Sequence, residues 1–155
     1  MNFGLHTFSP ENDYMQHFVL IYKRFSDILY TRGESVKDNP LLKYAEQLAV
    51  EIETLCKSLE RKENFNTIFQ IRKSSSSVFA NITEAQYPQS LPDMLSKFKI
   101  ARKECVETES WLKLLYSNSS IDEEIFKKQR NLCGRIQRML TSSCITIEKK
   151  ISSRR

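Results

Sequence analysis

The chain has 155 residues, 40% hydrophobic and 28% charged, with a formal net charge of +5: the size and balance of one globular domain with a real core. Three glycines and four prolines are too few for the tight turns of a sandwich or barrel, and they leave no glycine-rich loop to cradle a phosphate. The composition points to an all-helical protein and away from nucleotide-binding α/β folds.

No apolar stretch is long enough to span a bilayer, and residues 1–10 lack a basic start followed by an apolar run. A cytoplasmic protein with no membrane contact is therefore expected. Ser9-Pro10 fits an N-cap followed by proline in the first turn. Tyr14, Phe18, Ile21, Phe25 and Ile28 then recur at steps of four and three, predicting a helix to about Thr31 that Gly33 stops. Met15, Val19, Tyr22 and Leu29 lie outside that seam, so this helix has a face for docking on the rest of the chain or on a partner.

Asn39-Pro40 repeats the start signal. Leu41, Ala45, Leu48, Ile52, Leu55 and Leu59 follow as a heptad seam, the pattern of helices packed nearly parallel or antiparallel. The polar run 60–64 ends it. A further helix is predicted from Phe65 to Gln86, with Ile68, Ile71, Val78, Ile82 and Ala85 on its apolar side. Ser74 to Ser77 interrupt it with four small residues, which are poor helix formers but let a neighbouring helix approach closely. No histidine or lysine is placed to make any of them a nucleophile.

Ser90, with Asp93 three residues on and Pro92 in the first turn, caps the next helix, which runs to about Tyr116. Met94, Leu95, Phe98, Ala101, Cys105, Leu112 and Tyr116 line one side; Ile100, Trp111, Leu114 and Leu115 line a second. A helix apolar on two faces has more to bury than one core requires, and this points to self-association. Ser120 with Glu123 reads as a capping box opening the last helix, which runs to about Ile151. Its core arc is Ile125, Leu132, Ile136, Met139, Leu140 and Ile147.

A second arc of that helix is basic. Lys127, Lys128, Arg135, Arg138 and Lys149 share about 100° of the wheel, with Lys150, Arg154 and Arg155 near or beyond its end. Residues 121–155 hold nine Lys and Arg against four Asp and Glu, and after Phe126 Glu148 is the only acid. Such asymmetry suits a polyanion bound through its phosphates; a solvated face with a basic tail is the plainer alternative. Phe126 is the last aromatic, so duplex or folded RNA is favoured over base stacking on a single strand. Ile145 falls among the basic residues and does not fit the pattern.

Cys56, Cys105, Cys133 and Cys144 form no CxxC pair and fall on apolar positions, as buried, reduced thiols do. The two histidines, His6 and His17, precede the bundle helices, so neither a zinc site nor a di-metal carboxylate bundle is expected. No catalytic residue, cofactor or metal is assigned.

Two segments carry a family resemblance: IRKSSSSVFANITEA from Ile71 to Ala85 and KECVETESWLKLL from Lys103 to Leu115. Arg72, Ser76, Ala80, Asn81, Ile82, Glu84 and Ala85 match the first motif. Lys103, Glu104, Glu107, Thr108, Trp111, Leu112, Leu114 and Leu115 match the second. Together they resemble the bacterial four-helix-bundle proteins named after intervening sequences in 23S ribosomal RNA. These in turn look related to the accessory variability proteins of diversity-generating retroelements. Val78-Phe79 departs from the usual Ile and small residue, and residues 1–39 lie outside the pattern. The resemblance implies an antiparallel up-down four-helix bundle, often a ring-like homopentamer, in a non-enzymatic role. The retroelement relatives bind a reverse transcriptase and its nucleic acid. On this reading residues 1–39 are an extension with one helix, 40–151 the bundle and 152–155 a basic tail. Arg72, Asn81, Glu84, Glu107, Trp111 and Leu115 are then structural or interface residues, with Arg72 expected to pair with Glu107. The alternative function is a protein-interaction scaffold with no nucleic-acid contact.

Overall fold

The structure, a computed structural model, describes residues 39–154 apart from residue 62. The expected N-terminal helix, His6, His17 and Arg155 lie outside the described residues. Four helices follow one another: α1 (Pro40–Leu59), α2 (Phe65–Glu84), α3 (Leu91–Ser117) and α4 (Glu123–Ser152). There is no strand among the described residues.

Each start has a local cause. Asn39 caps α1 by accepting from the amides of Leu41 and Leu42, with Pro40 in the first turn. The Asn64 side chain accepts from the Asn66 amide at α2. Ser90 accepts from Asp93 N at α3, while Asp93 Oδ2 accepts from the Gln89 amide (3.0 Å). At α4 the expected cap is corrected. Asp122, not Ser120, accepts from the Ile125 amide (2.8 Å). The chain turns at Ser119, whose φ is +64°, and buries Ile121 before the helix begins; the Ser120 hydroxyl serves Glu63 and Asn118 instead.

Cross-helix contacts fix an antiparallel order. Arg72 and Asn39–Gln86 join α1 to α2, Ser74–Thr108 and Glu84–Lys97 join α2 to α3, and Lys99–Glu148 and Glu109–Arg130 join α3 to α4. Tyr44–Arg135 and Glu51–Lys128 close α4 on α1. Along each seam, as the residue number rises in one helix it falls in its partner. The backbones of diagonal pairs do not approach one another closely, and the α1–α4 seam is the sparsest.

The core lies along the axis. Leu48, Ile52, Ile71, Ile82, Leu112, Leu115, Ile136 and Leu140 are its fully buried large side chains. Leu115 therefore belongs to the core and not to the second face of α3, where Ile100 (40% exposed) and Leu114 (46%) remain. All four cysteines are buried and free. Val78 is fully buried and Phe79 packs against the core's edge, which accommodates the motif's departure.

Candidate nucleic-acid interface

Helix α4 has 30 residues and is about 45 Å long. Leu132, Ile136, Leu140 and Ile147, with Cys133, Cys144 and Gln129, bury one face. The opposite face is left to water. Lys127, Lys128, Arg135, Arg138, Lys149, Lys150 and Arg154 are all exposed there or near the helix end. The basic arc is thus a surface, but its members differ in what they touch.

In the N-terminal half carboxylates neutralise Lys127, Lys128 and Arg130, while Arg135 keeps its charge against an aromatic ring. Lys127 pairs with Glu123 one turn back (2.8 Å), and Lys128 with Glu51 of α1 (3.0 Å). Glu51 also accepts from Gln47 and Gln129. Burial alone would push its carboxyl up, yet these donors and Lys128 hold it below the usual range. The Arg135 guanidinium lies 4.9 Å from the centre of the Tyr44 ring and donates to its hydroxyl (3.0 Å). Arg130 donates from Nε to Glu109 of α3 (3.3 Å).

From Arg138 onward the helix is different. Arg138, Lys149, Lys150 and Arg154 have no carboxylate partner among the described residues, because Glu148 is taken by Lys99 of α3 (2.8 Å). The uncompensated positive charge is therefore displaced toward the C-terminal half of α4.

Beside it runs an open groove of about 800 Å³ between α3 and α4. Its lining includes Glu109, Arg130, Asn131, Gln137, Arg138 and Ile145. Glu109, Arg130 and Gln137 were not singled out in the sequence, since no motif marks them. Ile145, 48% exposed, finds its place as one wall of this groove.

The remaining candidates do not converge. Arg72 pairs with Glu53 of α1 (2.8 Å) and with Glu60 at its C-cap (2.5 Å), not with Glu107. Burial would lower its pKa, but the two carboxylates outweigh this and raise it. Glu107 instead accepts from the Trp111 indole on its own helix (3.3 Å), and Asn81 donates to the Ser77 carbonyl (2.9 Å). Glu84 pairs with Lys97. Trp111 is half-buried at the core's edge. Arg72 and Glu84 tie neighbouring helices together, Asn81, Glu107 and Trp111 bond within their own helices, and the set forms no common site.

No curated protein matches the sequence. Among solved structures, the chain is similar to a protein of unknown function of the S23 ribosomal protein family from Bacteroides thetaiotaomicron. The two are 37% identical with a TM-score of 0.64, over 67% of this chain and 97% of that one. Residues 37–142 match the family described as 23S rRNA-intervening sequence protein. With its two motifs on facing helices of a four-helix bundle, the chain belongs to that family.

Proposed function

We propose that the protein is a non-enzymatic, cytoplasmic nucleic-acid-binding accessory protein. It works as a homo-oligomer, a pentameric ring in the form the resemblance implies, and serves a reverse-transcriptase-type partner. The observation that carries the reading is the run of exposed cations without carboxylate partners, Arg138, Lys149, Lys150 and Arg154, on a helix whose one nearby acid is engaged elsewhere. Phosphates attract such a surface regardless of base sequence, and a ring would repeat it, strengthening a weak contact by avidity.

The test is fluorescence anisotropy of a structured RNA and a matched DNA duplex over a salt series. Binding is expected to weaken steeply as salt rises. Reversing Arg138, Lys149 and Lys150 to Glu is expected to abolish it. Reversing Lys127 and Lys128, which already face Glu123 and Glu51, is expected to cost much less. Unchanged affinity in the triple variant would remove the phosphate reading and leave the protein-interaction scaffold in front.

A further inference from the structure

We infer that the groove between α3 and α4 is a phosphate site, receiving one phosphodiester of a nucleic-acid backbone between Arg130 and Arg138. The inference rests on the reading of α4 as a nucleic-acid face and adds a fixed point of contact to it. Glu109 reaches across from α3 and holds two α4 side chains at once. Its Oε1 accepts from Arg130 Nε (3.3 Å) and its Oε2 from Gln137 Nε2 (2.8 Å). Arg130 uses only Nε in this pair, so its two terminal nitrogens keep their donors for a ligand. The carboxylate thus anchors the stem of the guanidinium and leaves its outer edge open.

Arg138 stands eight residues further along α4, about 12 Å away along the axis. It lines the same groove and has no carboxylate partner among the described residues. Its Nη1 lies over Gly134, 3.4 Å from where a Cβ would stand, so the guanidinium rests against bare backbone. Two guanidinia and one carboxylate leave the groove with a single net positive charge, matched to a monoanionic phosphodiester. Forked guanidinium donors suit its two non-bridging oxygens. Asn131 adds an amide, and the exposed face of Ile145 gives an apolar wall for the sugar. Lys149, eleven residues beyond Arg138 and about 16 Å along the helix, continues the charge in the direction a backbone would take.

The experiment uses the full-length protein and a short RNA duplex. Arg138→Gln removes a charge from the groove. Ser142→Trp fills the groove without changing charge, at an exposed lining position. Each is expected to weaken binding about tenfold, the scale of one charge-assisted contact, and to lower the slope of log affinity against log salt by about one. Arg154→Gln, outside the groove, is the charge control and is expected to weaken binding less. Wild-type affinity in Ser142→Trp, with binding still lost on charge reversal, would overturn the groove while leaving the nucleic-acid reading intact. Displacement of the duplex by poly-glutamate at equal charge concentration would overturn the phosphate assignment in favour of an acidic protein. If the wild type binds no duplex, inorganic phosphate becomes the probe. Shifts of the Arg130 and Arg138 side-chain resonances that Ser142→Trp abolishes would keep the phosphate site and remove the nucleic-acid reading, whereas no shifts would remove both.

Discussion

Cys56 shows what burial does to a single side chain in this bundle. It is fully buried, its thiol donates to the Ile68 carbonyl (3.9 Å), and burial pushes its pKa from the ordinary 9.0 up to about 12. Cys133 is also raised, first by its hydrogen bond with Cys105 and then by burial, and Cys144 by burial. Nucleophilic thiolate is thereby suppressed at neutral pH. The unfolded chain gives up these protons near 9.0 while the native Cys56 keeps its own to about 12, so stability is intact below pH 9.0 and falls as pH rises through that interval. Urea midpoints measured across this range are expected to decline for the wild type. Cys56→Ala, less stable at neutral pH, should decline less over the same span; an equal decline would assign the alkaline loss to other groups. All four cysteines were legible as small hydrophobes from their apolar spacing. The partner of Arg72 was not. Arg72 and Glu107 belong to the two motifs, on α2 and α3, whereas the carboxylates within reach, Glu53 and Glu60, lie on α1 and at its C-cap, which neither motif covers.

Among the elements, α2 is the helix whose sequence fits least well with its conformation. Four consecutive serines are tolerated because three bond to carbonyls of the preceding turn: Ser74 to Ile71, and Ser75 and Ser76 to Arg72. Ser74 is fully buried and also accepts from the Thr108 hydroxyl of α3 (2.9 Å), so two small polar side chains meet where a larger pair would hold the helices apart. Thr108→Val removes that bond while Ser74 keeps its backbone acceptor. A loss of about 1 kcal/mol in denaturant unfolding is expected. A variant as stable as the wild type would make the pair dispensable. Helix starts at Asn39 and Ser90 were legible because a capping side chain and a proline occur together. The start of α4 was displaced because Ser120 and Asp122 are both competent caps, and burial of Ile121 decides between them.

At the scale of the whole molecule, two features of the described surface bear on partners: the cations of α4, and exposed apolar residues, Ile100, Val106 and Leu114 of α3 among them. Sequence periodicity located both faces but not their true extent. Leu115 turned inward, and Lys128 of the basic arc is countered by Glu51, an acid whose approach depends on how the neighbouring helix packs. If Ile100 and Leu114 seat a second copy, Ile100→Lys combined with Leu114→Lys is expected to lower the sedimentation mass with an unchanged helical circular-dichroism spectrum. A retained mass would place the subunit contact elsewhere.

The sparse seam between α1 and α4 also bears on how the chain closes up. Every other helix pair joins neighbours in sequence across a short connection, so most of the native contacts are local and the topology favours rapid folding. Contacts of α1 with α4, such as Tyr44–Arg135 and Glu51–Lys128, separated by 91 and 77 residues, require the most distant parts of the described chain to meet. The largest loop-closure entropy therefore falls on the sparsest seam of the bundle.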